Sequence, residues 1–144
     1  MATALVSCLR RFGLALFLGL CTLTAFAADQ VIYHIDDADA QATKALRNLR
    51  NHLDVSPNTK IIVVTHGPGI DFLLDGAENM AGQKFSPAIG ELAGRGVEFK
   101  VCNNTLVSRK IPKENVIMEA KVVPSGVAEV ATLQAKEKFV YLRP

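Results

Sequence analysis

The chain predicts an α/β fold: a three-layer α/β/α arrangement on a mainly parallel five-stranded sheet. Short apolar, β-branched runs alternate with amphipathic segments of helical period, the pattern of repeated strand–helix–strand units. Right-handed crossovers between such strands gather their carboxyl ends along one edge. His34, His66, Cys102 and the Pro124-Ser125-Gly126 turn all fall at or near the ends of those runs, where ligands bind in open α/β sheets.

In chain order, the first segment stands outside this pattern. Arg10 and Arg11 precede an apolar run from Phe12 to about Leu23, and Ala25-Phe26-Ala27 has the small-x-small form of a leader cleavage site. Residues 1–27 therefore read as a secretory signal peptide and residues 28–144 as one domain. The apolar run is shorter than the ~20 residues of a spanning helix, so no stable membrane insertion is expected after cleavage. A soluble periplasmic protein is the expectation, with the arginine pair leaving the export route open. Without the leader the sixteen basic residues fall to fourteen, matching the fourteen acidic ones. A neutral chain of that length suits one core. It lacks the basic surface on which nucleic-acid binding rests, so no such partner is expected.

Gln30-Val31-Ile32-Tyr33-His34-Ile35 is a short apolar run, a strand covered on both faces, and Asp36-Asp37 supplies a helix N-cap with acid in the first turn. Ala42, Ala45, Leu46, Leu49 and Leu53 follow at helical spacing, with Lys44, Arg47 and Arg50 outward, until Val55-Ser56-Pro57-Asn58 ends the helix. The stretch from Lys60 to His66 is β-branched almost throughout and predicts a central strand. Gly67-Pro68-Gly69 breaks it. Ile70, Phe72, Leu73 and Leu74 suggest one helical turn before the pattern blurs towards Phe85. Ser86-Pro87 reads as a cap followed by proline at the first helical position, with Ile89, Leu92 and Ala93 inward.

Val97, Phe99 and Val101 then alternate with Glu98 and Lys100 as a strand that ends at Cys102. Asn103, Asn104 and Thr105 are cap residue types for a short helix to about Arg109. Lys121-Val122-Val123 is a brief strand. Pro124-Ser125-Gly126 opens a helix with Val127, Val130, Ala131 and Gln134 along one side, and Phe139-Val140-Tyr141-Leu142 is the last strand.

Cys8 and Cys21 leave with the leader, so Cys102 is the one cysteine of the mature chain, with no internal disulfide and no resolving partner. At a strand's end and a helix's start it meets unpaired N–H groups and about half a positive charge, which favour ionisation below the roughly 8.5 of a free thiol. Cys102 is thus a candidate nucleophile; the competing reading is a small buried hydrophobe. His66 and His34 are the available partners, able to lower the thiol's pKa, donate a proton or anchor an anion, and equally able to serve as structural hydrogen bonds.

Gly67 and Gly69 either bring the backbone close to a bound group or make a tight turn. They are no dinucleotide fingerprint, because Phe72 stands where a third glycine belongs. Asn103 and Asn104 suit a cap, with one amide free to face a pocket. Ser125 and Gly126 offer backbone N–H groups for an anion. Cys102, His34 and His66 are zinc- or copper-binding types, but no Cys-x-x-Cys pair accompanies them, so no metal site is assigned and no cofactor is expected.

Four stretches, Val31-Ile32-Tyr33-His34-Ile35, His66-Gly67-Pro68-Gly69, Val97 through Thr105 and Val123-Pro124-Ser125-Gly126-Val127, together resemble the DsrE/DsrF-like family over nearly all of the mature chain. Cys-Asn-Asn-Thr and Val-Pro-Ser-Gly-Val resemble one branch of small members. The resemblance implies the three-layer fold, a homo-oligomer of three or six subunits, and a cysteine that carries sulfur as a persulfide. Cys102 inherits that role by position, with a sulfur donor or acceptor protein, or a small sulfane-sulfur compound, as its partner. The alternative is a module that binds a small ligand or partner and whose cysteine is structural.

Overall fold

The computed structural model describes residues 29–144; the expected leader lies outside the described residues. Gln30–Ile35 (β1) leads into Ala38–Val55 (α1), Lys60–Thr65 (β2), a 3-10 helix at Gly67–Leu73, and Ser86–Gly94 (α2). Glu98–Cys102 (β3), Asn103–Ser108 (α3), Ala120–Val123 (β4), Gly126–Glu137 (α4) and Val140–Leu142 (β5) complete the chain, with a second short 3-10 turn at Lys113–Asn115.

The sheet runs β4-β3-β2-β1-β5, five strands as expected, and every pairing is parallel. Three successive steps from β1 to β4 go one way across the sheet, so right-handed crossovers put their helices on one face. The return from β4 to β5 runs the other way and lays α4 on the opposite face, which makes the three layers. The β-branched strand β2 is central, with five of its six residues buried.

These two faces are unequal. Under α1 and α2 the larger core packs Tyr33, Ile35, Val63, Phe99 and Val101 against Leu46, Leu49 and Leu92. The smaller holds only Ile32, Ile62, Val64, Val130, Leu133 and Phe139. A fully buried side chain of this kind contributes roughly 1.5–3 kcal/mol, so α4 is fastened to the sheet by few anchors.

Asp37 caps α1, its carboxylate accepting the Ala40 N–H at 3.1 Å. Ser86 does not cap α2 as its sequence position suggests. Phe85 occupies that place in helical conformation, buried against Phe72 with ring centroids 5.8 Å apart; burying that ring draws the helix start back by one residue. The inner face of α4 also differs. Gly126, Val130 and Leu133 are buried, whereas Val127, Ala131 and Gln134 face outward. Gly126 must meet the sheet edge, and that rotation carries Val127 out to 62% exposure.

Candidate functional site

Strand register turns the sequence spacing into a row. His34 pairs with Val64, and Val64 with Lys100. Side chains alternate along strands, so His34, Val64, Lys100 and Cys102 share the face that α4 covers. His66 follows β2 with its backbone still extended, φ −152° and ψ 172°, and so joins the same face. The His34 and His66 rings lie 4.8 Å apart between centroids. On the far side of His34, its Nδ1 is hydrogen-bonded to the Tyr141 hydroxyl of β5 at 2.7 Å.

Burial first, then the neighbouring His66 and Arg143, hold His34 below the ordinary imidazole value, against an upward pull from Asp36. Arg143 is itself clamped to both Asp36 oxygens at 2.8 and 2.9 Å. His34 is therefore neutral near pH 7, and its Nε2 is buried without a partner.

Cys102 is both the last residue of β3 and the residue that caps α3, at φ −71° and ψ 116°. It is only 4% exposed, yet it belongs to neither apolar core. After β3 the chain turns to one face and after β4 to the other, so the thiol sits in a crevice at a topological switch point. Across that crevice lies the start of α4. A Cβ on Gly126 would stand 2.8 Å from the Thr65 carbonyl oxygen, 3.2 Å from the His66 Cβ and 3.3 Å from the Cys102 Cβ. Only glycine lets α4 approach this closely, and the same contacts make His66 and Cys102 neighbours.

The close approach has an electrostatic result. Burial pushes the Cys102 thiol up, but hydrogen bonding from the Gly126 N–H, the Thr105 hydroxyl, and the Thr105 and Asn104 N–H groups outweighs it, leaving the thiol below its ordinary value. The Cys102 side chain closes no cap hydrogen bond at the start of α3; the nearby N–H and O–H groups act on the thiol's ionisation, favouring the anion. With six residues, α3 has little macrodipole, so these individual donors carry the effect. Two residues back on the same face, Lys100 Nζ is paired with Glu129 Oε1 of α4 at 2.5 Å, both side chains largely buried. This ion pair ties α4 to β3 beside the sulfur.

The remaining site expectations divide. Asn103 and Asn104 do not cap α3; the strand stays extended through Cys102, so they become the first two helical residues. Asn103 Oδ1 is buried without a partner, while Asn104 is exposed and donates its N–H to the Pro124 carbonyl at 3.3 Å. Ser125 spends its hydroxyl on capping α4, accepting the Ala128 N–H at 3.4 Å. Gly67 donates its N–H to Thr105 Oγ1 at 2.9 Å. Gly69 is a packing glycine, whose Cβ would stand 2.2 Å from the Ile35 carbonyl oxygen.

Among the described residues no three His, Cys, Asp or Glu side chains are grouped to hold a metal ion, and no helix is long and apolar enough to cross a membrane. An open cleft lined by Ala38, Asp39, Thr43, Asn79, Met80, Ala81 and Phe85 shares no residue with the surroundings of the sulfur. Two neighbours of the site were not singled out by sequence. Thr105 carries a signal, standing three residues after the thiol at capping-box spacing. Tyr141 carries none, because 107 residues separate it from His34.

Residues 23–141 match the DsrE/DsrF-like family. A protein of unknown function from Methanobacterium thermoautotrophicum, MTH1491, is similar in structure with a TM-score of 0.72 and 29% identity, over 81% of this chain and 99% of that one. The ychN protein from E. coli superimposes with a TM-score of 0.67 over 82% of this chain and 100% of its own. At 15% identity that likeness concerns the fold alone. No curated protein matches the chain. With the family match spanning most of its length and the same architecture in both neighbours, the chain belongs to the DsrE/DsrF-like family.

Proposed function

We propose that the protein is a periplasmic sulfur carrier in which Cys102 holds a sulfane sulfur as a persulfide. Family membership points to a sulfur-related role, and the observation that carries the finer reading is the crevice in which Cys102, at the end of β3 and the start of α3, meets the start of α4 and His66, a setting that favours its thiolate. In the proposed step the Cys102 thiolate attacks the terminal sulfur of a persulfide R–S–SH. The new S–S bond forms as the donor's S–S bond breaks, giving Cys102–S–SH and the thiolate R–S⁻. Electrons and atoms balance, so no cofactor enters. An acceptor thiolate reverses the exchange. His66 supplies polar and proton-transfer support, and His34 holds a neutral imidazole behind it. Export through the leader of residues 1–27 sets the periplasmic location, and assembly into trimers or hexamers follows the family resemblance.

Treating the purified protein with polysulfide and weighing it tests the reading. The wild type gains the mass of sulfur at Cys102; a Cys102→Ser variant that gains the same mass refutes it. A second reading, a binding module with a structural cysteine, draws on the 4% exposure of Cys102. It predicts a thiol that resists alkylation in the folded protein while a small ligand raises the melting temperature.

A further inference from the structure

We infer that Tyr141 is a positioning residue for His34: its hydroxyl donates to Nδ1, fixing the ring beside His66 and leaving Nε2–H as the one ring nitrogen free for a ligand. Tyr141 stands opposite Ile32 in the register of β1 with β5, and Ile32 belongs to the smaller core under α4. His34, two residues on from Ile32, lies on the same face and diagonal to Tyr141, a spacing that an aromatic side chain spans. The two rings are 5.6 Å apart between centroids, and the Tyr141 oxygen is 2.7 Å from Nδ1. Hydroxyl donors make the shorter bonds, about 2.7–2.8 Å to oxygen against about 2.9–3.0 Å for N–H donors. The short separation therefore puts the proton on the phenol, the acidic partner, and the lone pair on Nδ1.

A neutral imidazole carries one proton, so with Nδ1 accepting, that proton is on Nε2. Nε2 is buried without a partner, and the His66 ring, 4.8 Å away between centroids, does not satisfy it. The ring thus offers its surroundings an N–H and no lone pair. It can stabilise an anionic sulfur or oxygen of a ligand, but it cannot take a proton from one. A second tie keeps the tyrosine in place. β5 has only three residues, yet Arg143, two positions after Tyr141, clamps both Asp36 oxygens at 2.8 and 2.9 Å. Tyr141 and Arg143 so stitch the end of β5 to the end of β1 at His34 and Asp36. Casting His34 as a donor instead of a base rests on the reading that Cys102 is the reacting centre; the hydrogen bond behind it stands apart from any sulfur cargo.

The test is a long-range proton–nitrogen correlation spectrum of the full protein at about pH 8, where the imidazoles are neutral. In the wild type His34 shows a proton-bearing Nε2 and an unprotonated, hydrogen-bonded Nδ1. Tyr141→Phe shifts the Nδ1 signal to that of an unbonded nitrogen and weakens the cross-relaxation between the His34 and His66 rings, while the circular dichroism spectrum is unchanged. The rate of sulfur gain at Cys102 from polysulfide falls several-fold in the same variant. A proton on Nδ1 in the wild type overturns the inference, whether or not the phenylalanine variant folds. So does a folded phenylalanine variant in which the Nδ1 signal, the ring contact or the loading rate is unchanged. If the wild type takes up no sulfur, the carrier reading falls while the spectra still decide whether Tyr141 positions His34.

Discussion

Gly126→Ala is the substitution that tests the architecture of the site most directly. Its single added carbon would lie 2.8 Å from the Thr65 carbonyl oxygen and 3.2 and 3.3 Å from the Cβ atoms of His66 and Cys102. The oxygen belongs to the end of the central strand and cannot rotate aside, so α4 must retreat. Overpacking of this kind costs about 1–3 kcal/mol, and the rigid backbone partner puts Gly126 at the upper end. Removing glycine from a helix returns roughly 0.5–1 kcal/mol, leaving a net loss of about 1–2 kcal/mol. For a domain of this size that is a fall of about 4–8 °C in melting temperature. Retreat of α4 also withdraws the Gly126 N–H from the sulfur, so the alkylation midpoint of Cys102 rises in the same variant. Gly94→Ala is the control: nothing lies within 4 Å of its added carbon, and it should be neutral or stabilising by about 0.4–1 kcal/mol. Thermal unfolding by circular dichroism, alongside the alkylation profile, reads both quantities. An alanine at 126 that leaves both unchanged refutes the reasoning.

Two further predictions concern pH and the thin face. His34 titrates below its unfolded value, so between its folded pKa and about 6.5 the unfolded chain binds more protons. Stability therefore falls as pH drops through that window. His34→Gln should flatten the dependence of melting temperature on pH between about 7 and 5; an unchanged slope excludes His34 as its source. Leu133→Ala removes a 2%-exposed anchor of α4 and should cost about 2–5 kcal/mol in urea unfolding. Hydrogen exchange should accelerate in α4 before α1, and equal acceleration in both counts against separate anchorage.

The sheet was legible because its strands are short β-branched runs, and both faces of Ile61, Ile62, Val63 and Val64 are covered as that composition implies. The position of Cys102 was legible for a related reason. Val97, Phe99 and Val101 mark the inner face of one layer, so Glu98, Lys100 and Cys102 must share the other. Helix starts were less so. Serine and asparagine are favoured caps, but a buried Phe85 and an extended Cys102 took those places, each for a reason of tertiary packing. The orientation of α4 was misread because Val127, Val130 and Ala131 look like one apolar stripe. Gly126, without a side chain, gives no hydropathy signal, although its need for contact sets the rotation. Contacts across the sheet, Tyr141 with His34 and Gly126 with Cys102, depend on the strand order and have no local signature.

That strand order also explains why the thiol belongs at position 102. One residue earlier, a side chain points into the large apolar core, where Val101 is fully buried and burial would favour the neutral thiol. One residue later, the chain is already helical, and a side chain at 103 is one of the first helical residues instead of the cap. At 102 the side chain faces the α4 layer while its backbone still caps α3, so donors from elements on opposite faces converge on one sulfur. Such convergence needs neighbouring strands whose chains depart to different faces, and β3 and β4 are such a pair. Stabilisation of the anion is therefore a property of the topology as well as of the residues, and it weakens if either α3 or α4 moves. Loss of α4 alone would remove the Gly126 N–H and the Lys100–Glu129 tie together, leaving Cys102 with the Thr105 and Asn104 groups of its own helix.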